Sequence, residues 1–203
     1  MWNLYELPKS VYSYSNVGGF GIDGSISSMI GASLCNPHKL IFLIVGDLAT
    51  FYDLNSIGNR HIGTNIRIMV INNGTGFEMR HSSNRGDIFK EDADILFAAG
   101  GHFGNQSRTL LKDYSVNLGF EYMCADNKEK FIEVLPQFVS EEPRNKPVLL
   151  EVFVDVMSEY DSFEITKHVI SSKSRYAKKM VKNVIGENGV QKVKTLLKRN
   201  HKF

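Results

Sequence analysis

Two short apolar runs, each ended by a polar turn, constrain most strongly what this chain can fold into. Residues 40–45 stop at Gly46-Asp47, and residues 66–71 stop at Asn72-Asn73. Runs of this length and composition are typical of strands that are buried on both faces of a sheet. Between them, the apolar side chains of residues 49–57 recur at helical spacing. The unit therefore predicts a strand, a helix and a second strand parallel to the first.

The ends of these two strands form a candidate ligand site. Parallel neighbours would deliver Asp47 and Asn73 to the same edge of the sheet, where ligands of open α/β sheets usually bind. A carboxylate, an amide oxygen and nearby loop carbonyls are hard oxygen ligands, which suit Mg²⁺ carrying a diphosphate. The pattern therefore predicts a magnesium-bound diphosphate at this edge.

These residues resemble the cofactor motif of the thiamine diphosphate-dependent enzymes. The resemblance implies that the Asp47 carboxylate, the Asn73 side chain and the Thr75 carbonyl hold Mg²⁺, with thiamine diphosphate as the cofactor. Family members usually have Gly at the third motif position, whereas this chain has Leu48. That Leu, followed by YDLN at residues 52–55, resembles the menaquinone-pathway branch, the 2-succinyl-5-enolpyruvyl-6-hydroxy-3-cyclohexene-1-carboxylate synthases, and the acetolactate synthase-like enzymes near it.

A glycine-rich turn at residues 16–24 extends the resemblance. It precedes a predicted helix over residues 25–34, whose first backbone N–H groups favour negative charge. The resemblance implies that the turn wraps the cofactor, with Ile22 as the apolar support that bends it and the Phe20 carbonyl near its aminopyrimidine. Ile22 as a simple core residue, and the polar pairs as ordinary turns, are the alternatives. Three motifs in the family's order and spacing favour the family.

The resemblance implies a set of cofactor-binding residues drawn from these motifs. They are Phe20, Gly21, Ile22, Asp23, Gly24, Gly46, Asp47, Leu48, Ala49, Asn73, Thr75, Gly76 and Phe77. The catalytic residue stays unassigned. His81 and His102 are candidates because they follow the metal motif, in a region that partly covers the active site in the family. A loop histidine is, however, more often a solvated residue than an acid or base.

One departure from the branch concerns the substrate. In the menaquinone-pathway enzymes an Arg follows the Asn of the glycine-rich turn and helps to hold the substrate carboxylate, but this chain has Val17. A guanidinium that pairs with a carboxylate has no apolar equivalent. We therefore expect a smaller donor such as pyruvate rather than 2-oxoglutarate, unless another Arg compensates. Steady-state kinetics with the two acids distinguish these donors.

The alternation of strand and helix patterns predicts a doubly wound, mainly parallel α/β sheet with helices on both faces. Further strands are predicted near residues 11–14, 95–99, 119–124 and 148–154, and further helices over residues 107–118, capped by Ser107, and 127–139. The resemblance divides the chain into a linker (1–10), a diphosphate-binding domain (11–157) and a C-terminal extension (158–203).

The C-terminal extension is basic and has helical patterns at residues 173–184 and 190–197. Residues 167–203 hold eleven Lys or Arg against one Glu, a net charge of +10, whereas the whole chain carries +2. Nucleic acid or an anionic membrane surface is one interpretation. Docking on the acidic remainder of a homo-oligomer is preferred, and nucleic acid is disfavoured because few aromatic side chains interleave the charges.

The resemblance implies one part of a larger catalytic unit. Enzymes of this family decarboxylate a 2-oxo acid and then protonate the carbanion or transfer it to an acceptor, as lyases or transferases. Their activating Glu comes from a pyrimidine-binding domain, for which these 203 residues contain no candidate. We therefore expect another domain or subunit to supply it. The alternatives are a two-subunit 2-oxo acid decarboxylase, of which this is the small subunit, and a non-catalytic module that binds thiamine diphosphate and Mg²⁺.

The sequence also predicts where the protein works. No apolar run approaches the roughly 20 residues of a membrane span, and the N-terminus lacks the apolar region of a signal peptide. Cys35 and Cys124 are too few for a disulfide framework and have no metal-like spacing. We expect a cytoplasmic protein without a membrane partner.

Overall fold

A parallel sheet forms the centre of the molecule. The computed structural model describes residues 7–76, 88–89, 92–97, 102, 104 and 107–169. Ser10–Tyr160 form one compact unit, and of the second unit residues 7–9 and 161–169 are described. The strands within the described residues are β1 (Ile41–Gly46), β2 (Ile66–Asn72), β3 (Glu121–Ala125) and β4 (Val148–Phe153). They lie side by side in the order β1-β2-β4-β3, and every neighbouring pair is parallel.

Helices connect these strands. Those described are α1 (Ser25–Cys35), α2 (Asp47–Tyr52), α3 (Ala93–Leu96), α4 (Leu110–Asn117), α5 (Lys128–Val139) and α6 (Val156–Val169), with short 3-10 helices at Gly18–Gly21 and Leu54–Gly58. The predicted helix over residues 49–57 is divided at Asp53, whose side chain bonds to Ser27 and Ser56 instead of facing solvent. α5 begins one residue after its predicted start, because Asn127 is the N-cap, whose Oδ1 accepts the Lys130 N–H at 2.8 Å.

The core occupies both faces of the sheet. Ile68 and Val70 of β2 belong to a cluster that includes residues of α1 and α4, whereas Met69 belongs to a second cluster with Phe138 of α5. Successive side chains of a strand point to opposite faces, so an unbroken apolar sequence fits a strand that is covered on both sides. The predicted doubly wound parallel α/β fold is confirmed.

Two predicted strands are wrong. Residues 11–14 have no regular structure, and Tyr12 and Tyr14 are 75% and 91% exposed. The strand predicted at residues 95–99 begins inside α3, where Ile95 is 82% exposed. Short apolar runs do not distinguish helix from strand by periodicity, which explains the second error. Residues 98 and 99 lie outside the described part of the chain.

The start of α4 also differs from the prediction. The helix begins at Leu110 after Thr109, and Ser107 Oγ accepts the N–H of Thr109 at 3.3 Å rather than capping the helix. At the C-terminus, α6 covers the start of the predicted extension, while the helices predicted at residues 173–184 and 190–197 lie outside the described residues. Among the helices that the structure describes, none combines the length and apolar composition needed to cross a membrane.

Candidate functional site

A hydrogen bond to Asp47 links the end of β1 to the turn after β2. Asp47 directly follows β1 as the first residue of α2, and it is 2% exposed. Its Oδ2 accepts the backbone N–H of Gly74 at 2.8 Å. Because Gly46 lies opposite Ile71 in the parallel register, the first residue after β1 reaches the turn after β2. We call residues 72–75 the NNGT turn.

The NNGT turn, which contacts Asp47 through the Gly74 N–H, is held by hydrogen bonds of the Asn73 side chain. Asn73 Oδ1 accepts the N–H of Thr75 at 2.9 Å, and Asn73 Nδ2 donates to Glu159 Oε2 of α6 at 2.5 Å. Thr75 is itself 8% exposed. A carboxylate, an amide oxygen and a main-chain carbonyl form the kind of donor set that suits Mg²⁺. The residues present therefore fit a magnesium ion.

Nowhere in the described residues, the NNGT turn included, do three His, Cys, Asp or Glu side chains form a group that could hold a metal ion. The predicted ligand set would not form such a group, because Asp47 is its only acidic member. Magnesium bound with a diphosphate needs few protein ligands, since the phosphate oxygens supply others.

His102 contacts the predicted metal ligand. Its Nε2 lies 2.7 Å from Asp47 Oδ2, its side chain is 9% exposed, and its ring lies 5.1 Å from that of Phe51. The buried Nδ1 has no hydrogen-bond partner in the part of the chain that the structure describes. The structure thus brings one of the two candidate histidines to Asp47. His81 lies outside the described residues.

The glycine-rich turn is fixed by side chains. Gly21 and Gly24 have positive φ angles of 79° and 73°, which glycine adopts without strain. Asn16 Nδ2 donates to the Asp23 carbonyl at 2.7 Å and lies 3.2 Å from Ser25 Oγ. A Cβ at Gly21 would lie 2.9 Å from the Asn16 carbonyl oxygen, so the approach of these two segments requires glycine.

The first turn of α1 is already partly occupied. Asp53 Oδ2 accepts the N–H of Ser27 at 2.7 Å and its hydroxyl at 2.9 Å, and Oδ1 accepts the Ser56 hydroxyl at 2.5 Å. Burial acts to raise the pKa of Asp53, but these hydrogen bonds outweigh burial and hold the pKa below its usual value. One of the amides expected to face negative charge is therefore used by the protein itself.

A buried carboxyl group lies behind the NNGT turn. Glu151 of β4 is 1% exposed, and it accepts hydrogen bonds from Asn72 Nδ2 and from the Tyr122 hydroxyl, each at 2.7 Å. Burial raises the pKa of Glu151 and nearby Asp47 adds to this, while the two hydrogen bonds and Arg108 act in the opposite direction. Burial, together with Glu151, also raises the pKa of Tyr122.

An open cleft of about 420 Å³ borders the NNGT turn on the side of β3 and β4. Its lining is mainly polar, and the Arg108 guanidinium lies 4.3 Å from the centre of the Phe153 ring in a cation–π contact. The lining residues are Asn72, Asn73, Gly74, Ser107, Arg108, Asp126, Phe153, Val154 and Asp155. The cleft thus lies at the carboxyl edge of the sheet, where the sequence places the ligand.

The other predicted site residues that the structure describes lie in the segments before and after the first two strands. Gly46 ends β1, and Leu48 and Ala49 are buried in α2. Ile22 is partly buried in the turn before α1, while Asp23 is exposed. Gly76 follows the NNGT turn and is buried. Phe77 and the side chain of Phe20 lie outside what the structure describes.

Sequence reasoning missed the residues that support this edge. Glu151 and Glu159 each bond to a predicted segment that is distant in the chain, and no local pattern reports such contacts. A signal was available for Glu151, which is a single acid within an apolar strand sequence. A buried charged residue of this kind is rare unless it has partners.

Comparison with known proteins identifies relatives. No protein-family model matches the chain. A 2-succinyl-5-enolpyruvyl-6-hydroxy-3-cyclohexene-1-carboxylate synthase of Phocaeicola vulgatus is 38% identical over 152 residues, which are 75% of this chain and 26% of that protein. Proteins of the same name from Bacteroides thetaiotaomicron and Christiangramia forsetii are 33% and 32% identical, over 74% and 79% of this chain and 25% and 27% of their own length. The chain spans about a quarter of the length of these curated relatives. The resemblance that the motifs indicate is confirmed.

Proposed function

Because this chain is a relative of the thiamine diphosphate-dependent enzymes of the 2-succinyl-5-enolpyruvyl-6-hydroxy-3-cyclohexene-1-carboxylate synthase branch, we propose that it binds the diphosphate of that cofactor through Mg²⁺. The enzyme to which it contributes decarboxylates a 2-oxo acid and protonates the carbanion or transfers it to an acceptor. The observation that carries the proposal is the buried Asp47 carboxylate, held against the NNGT turn by the Gly74 N–H.

The residues have separate roles in this proposal. Asp47, the Asn73 side-chain oxygen and the Thr75 carbonyl hold Mg²⁺, which neutralises the diphosphate. The glycines at positions 21 and 24 let the main chain approach the cofactor closely. When bound, thiamine diphosphate supplies the carbanion chemistry, and the protein supplies its position and its electrostatic surroundings. His102 contacts Asp47 in this arrangement through its Nε2.

The proposal includes a partner. A pyrimidine-binding domain or subunit supplies the activating Glu, and the assembly is a cytoplasmic homo-oligomer. The predicted role of this chain, as the part that holds the diphosphate, follows from the oxygen ligands at the carboxyl edge of its sheet. Co-purification from the native host, followed by measurement of the mass of the assembly, tests this part. A chain that purifies alone as a monomer would contradict it.

Asp47→Ala tests the metal site in the protein purified with any associated subunit. Calorimetry measures thiamine diphosphate binding with and without Mg²⁺. We expect the wild type to bind in a Mg²⁺-dependent way and Asp47→Ala to lose this binding, because a metal ligand is removed. Folding should persist, since the Gly74 N–H keeps Asn72 Oδ1 as an acceptor, and circular dichroism checks this.

Two controls make the result specific. Asp113→Ala removes an exposed carboxylate on α4 and should leave binding unchanged. Thiamine without its diphosphate should show no Mg²⁺-dependent binding to the wild type. Equal Mg²⁺-dependent binding by wild type and Asp47→Ala would remove the proposal.

A further inference from the structure

Hydrogen bonds connect β3 and β4 to the NNGT turn. Tyr122 donates its hydroxyl to Glu151 Oε2, and Asn72 Nδ2 donates to Glu151 Oε1. At its other end, Asn72 Oδ1 accepts the N–H of Gly74 at 3.2 Å. The same N–H lies 2.8 Å from Asp47 Oδ2. The buried carboxyl group is therefore two hydrogen bonds away from the N–H that Asp47 accepts.

Packing alone does not explain an acid at position 151. Its neighbours Leu149 and Leu150 are buried apolar residues, and an apolar side chain of similar volume would fill the same space. Burying a carboxyl group costs free energy unless hydrogen bonds compensate. What Glu151 adds is a pair of acceptor oxygens, one for Tyr122 and one for Asn72.

The acceptor that faces Asn72 determines which way its amide points. A primary amide presents donors at its nitrogen and an acceptor at its oxygen, and a rotation of 180° exchanges them. With the Glu151 oxygen on one side, the Asn72 nitrogen faces it and the Asn72 oxygen is left for the Gly74 N–H. The reverse orientation would place the Asn72 NH₂ group against that N–H, donor against donor.

We propose that Glu151 is a positioning residue for the metal site, which fixes the Asn72 amide and through it the NNGT turn in the geometry that Asp47 and Asn73 need to hold Mg²⁺. This inference rests on the proposed function. Groups that orient the ligands of a metal commonly affect metal affinity even though they do not touch the ion. Tyr122 holds the other oxygen of the same carboxyl group and has no contact with the turn among the hydrogen bonds described.

The test compares variants at three positions by the Mg²⁺ concentration that gives half-maximal thiamine diphosphate binding. Glu151→Leu removes both acceptors, and this concentration should rise about tenfold to hundredfold. Glu151→Gln keeps an oxygen for Asn72 and can turn its nitrogen to the Tyr122 hydroxyl, so it should stay within about threefold of the wild type. Tyr122→Phe should leave the Mg²⁺ requirement unchanged even where it lowers the free energy of unfolding.

A second measurement uses the metal-free protein. With glycine labelled by ¹⁵N, hydrogen exchange of the Gly74 N–H should be faster in Glu151→Leu than in wild type, Glu151→Gln or Tyr122→Phe. If Glu151→Leu does not fold, Asn72→Ala takes its place, because it breaks the same connection at a partly buried position. Asn72→Ala should raise the Mg²⁺ requirement and speed Gly74 exchange in the same way.

Failure of this inference is distinguishable from failure of the proposed function. An unchanged Mg²⁺ requirement in Glu151→Leu, or in Asn72→Ala where the former does not fold, would overturn the positioning role while Asp47→Ala still lost binding. An equal rise in Tyr122→Phe and Glu151→Leu would also overturn it, because the effect would then come from general loosening of the sheet. If the wild type itself bound thiamine diphosphate without any dependence on Mg²⁺, the proposed function would instead be wrong.

Discussion

The two edges of the parallel sheet both bury charged side chains, but they surround them differently. At the carboxyl edge, Asp47 and Glu151 accept hydrogen bonds from turns and from neighbouring strands. At the amino edge, Arg67 at the start of β2 is 1% exposed, and its Nη1 donates to the Thr64 and Ile66 carbonyls at 2.7 and 3.0 Å. Its Nε finds no hydrogen-bond partner among the described residues.

The two edges also differ in the charges that surround their buried side chains. Burial lowers the pKa of Arg67, and Arg144 lowers it too, whereas Glu121 acts in the opposite direction. Glu121 already pairs with Arg144 at 2.6 Å. The amino edge therefore satisfies its buried cation with main-chain carbonyls close in sequence, which is a structural arrangement. The carboxyl edge instead holds its two buried acids with hydrogen bonds from segments that are distant in sequence, around the turn at which the Mg²⁺ site is proposed.

Arg67→Ala should have the largest effect on stability. It leaves a cavity at a fully buried position and two carbonyls without their donor, so we expect the free energy of unfolding to fall by about 3 kcal/mol. Chemical denaturation measures this. Asp47→Ala, at the other edge, should lower it far less while losing Mg²⁺-dependent binding. If Arg67→Ala abolished Mg²⁺ binding in protein that is still folded, the amino edge would not be purely structural.

Arg67→Met is the matched control. It retains much of the side-chain volume, but like Arg67→Ala it leaves the Thr64 and Ile66 carbonyls without their donor. We expect the unfolding free energy of Arg67→Met to fall by about 1–2 kcal/mol, less than in Arg67→Ala, because the cavity is filled while the hydrogen bonds are still lost. A loss as large as that of Arg67→Ala would show that the guanidinium itself stabilises the amino edge.

The sequence predicts the features of the fold that depend on neighbouring residues. β1 and β2 were predicted within one residue at each end because their apolar runs are continuous and end at strong turn signals. The match of Asp47 to the turn after β2 follows from parallel register, which the strand–helix–strand pattern implies. These features depend on neighbouring residues or on the single helical connection between β1 and β2, so they can be predicted from the sequence.

The rest depends on contacts between distant segments. Glu151 reaches Asn72 across two strands that are far apart in sequence, and Asp53 reaches Ser27 in the same way. The single polar residues involved have no period that would indicate their partners. The strand prediction at residues 95–99 is wrong for another reason, because a short apolar run fits an exposed helix turn as well as a strand.

Asp53→Ala should have an intermediate effect. It leaves the Ser27 N–H in the first turn of α1 without its acceptor, which should lower the free energy of unfolding by about 1–2 kcal/mol. Asp53→Asn keeps one acceptor oxygen and should lose less. Because protein donors already serve both oxygens of Asp53, the Mg²⁺ requirement for cofactor binding should not change. A change would place Asp53 in the metal site and blur the distinction from Asp47.

The pH dependence of this effect has a defined sign. The pKa of Asp53 is lowered in the folded protein, so the carboxylate stabilises the fold above the unfolded pKa, and this contribution is lost as pH falls through the folded pKa. The stability difference between wild type and Asp53→Ala should therefore be full at neutral pH and shrink below about pH 4. Denaturation curves at several pH values measure it, and a difference that grows on acidification would contradict the assignment.

Asn127→Ala should have the smallest effect, and it tests whether position at the carboxyl edge is enough to make a polar residue part of the site. Asn127 caps α5 directly after β3, and its neighbour Asp126 lines the cleft. Loss of the cap should cost about 1 kcal/mol of unfolding free energy. Asn127→Ser, which restores a capping oxygen, should recover most of this cost. Thiamine diphosphate binding by Asn127→Ala should match the wild type, because the Asn127 oxygen serves the Lys130 N–H rather than the NNGT turn. Weaker cofactor binding at unchanged stability would extend the site across the cleft to β3.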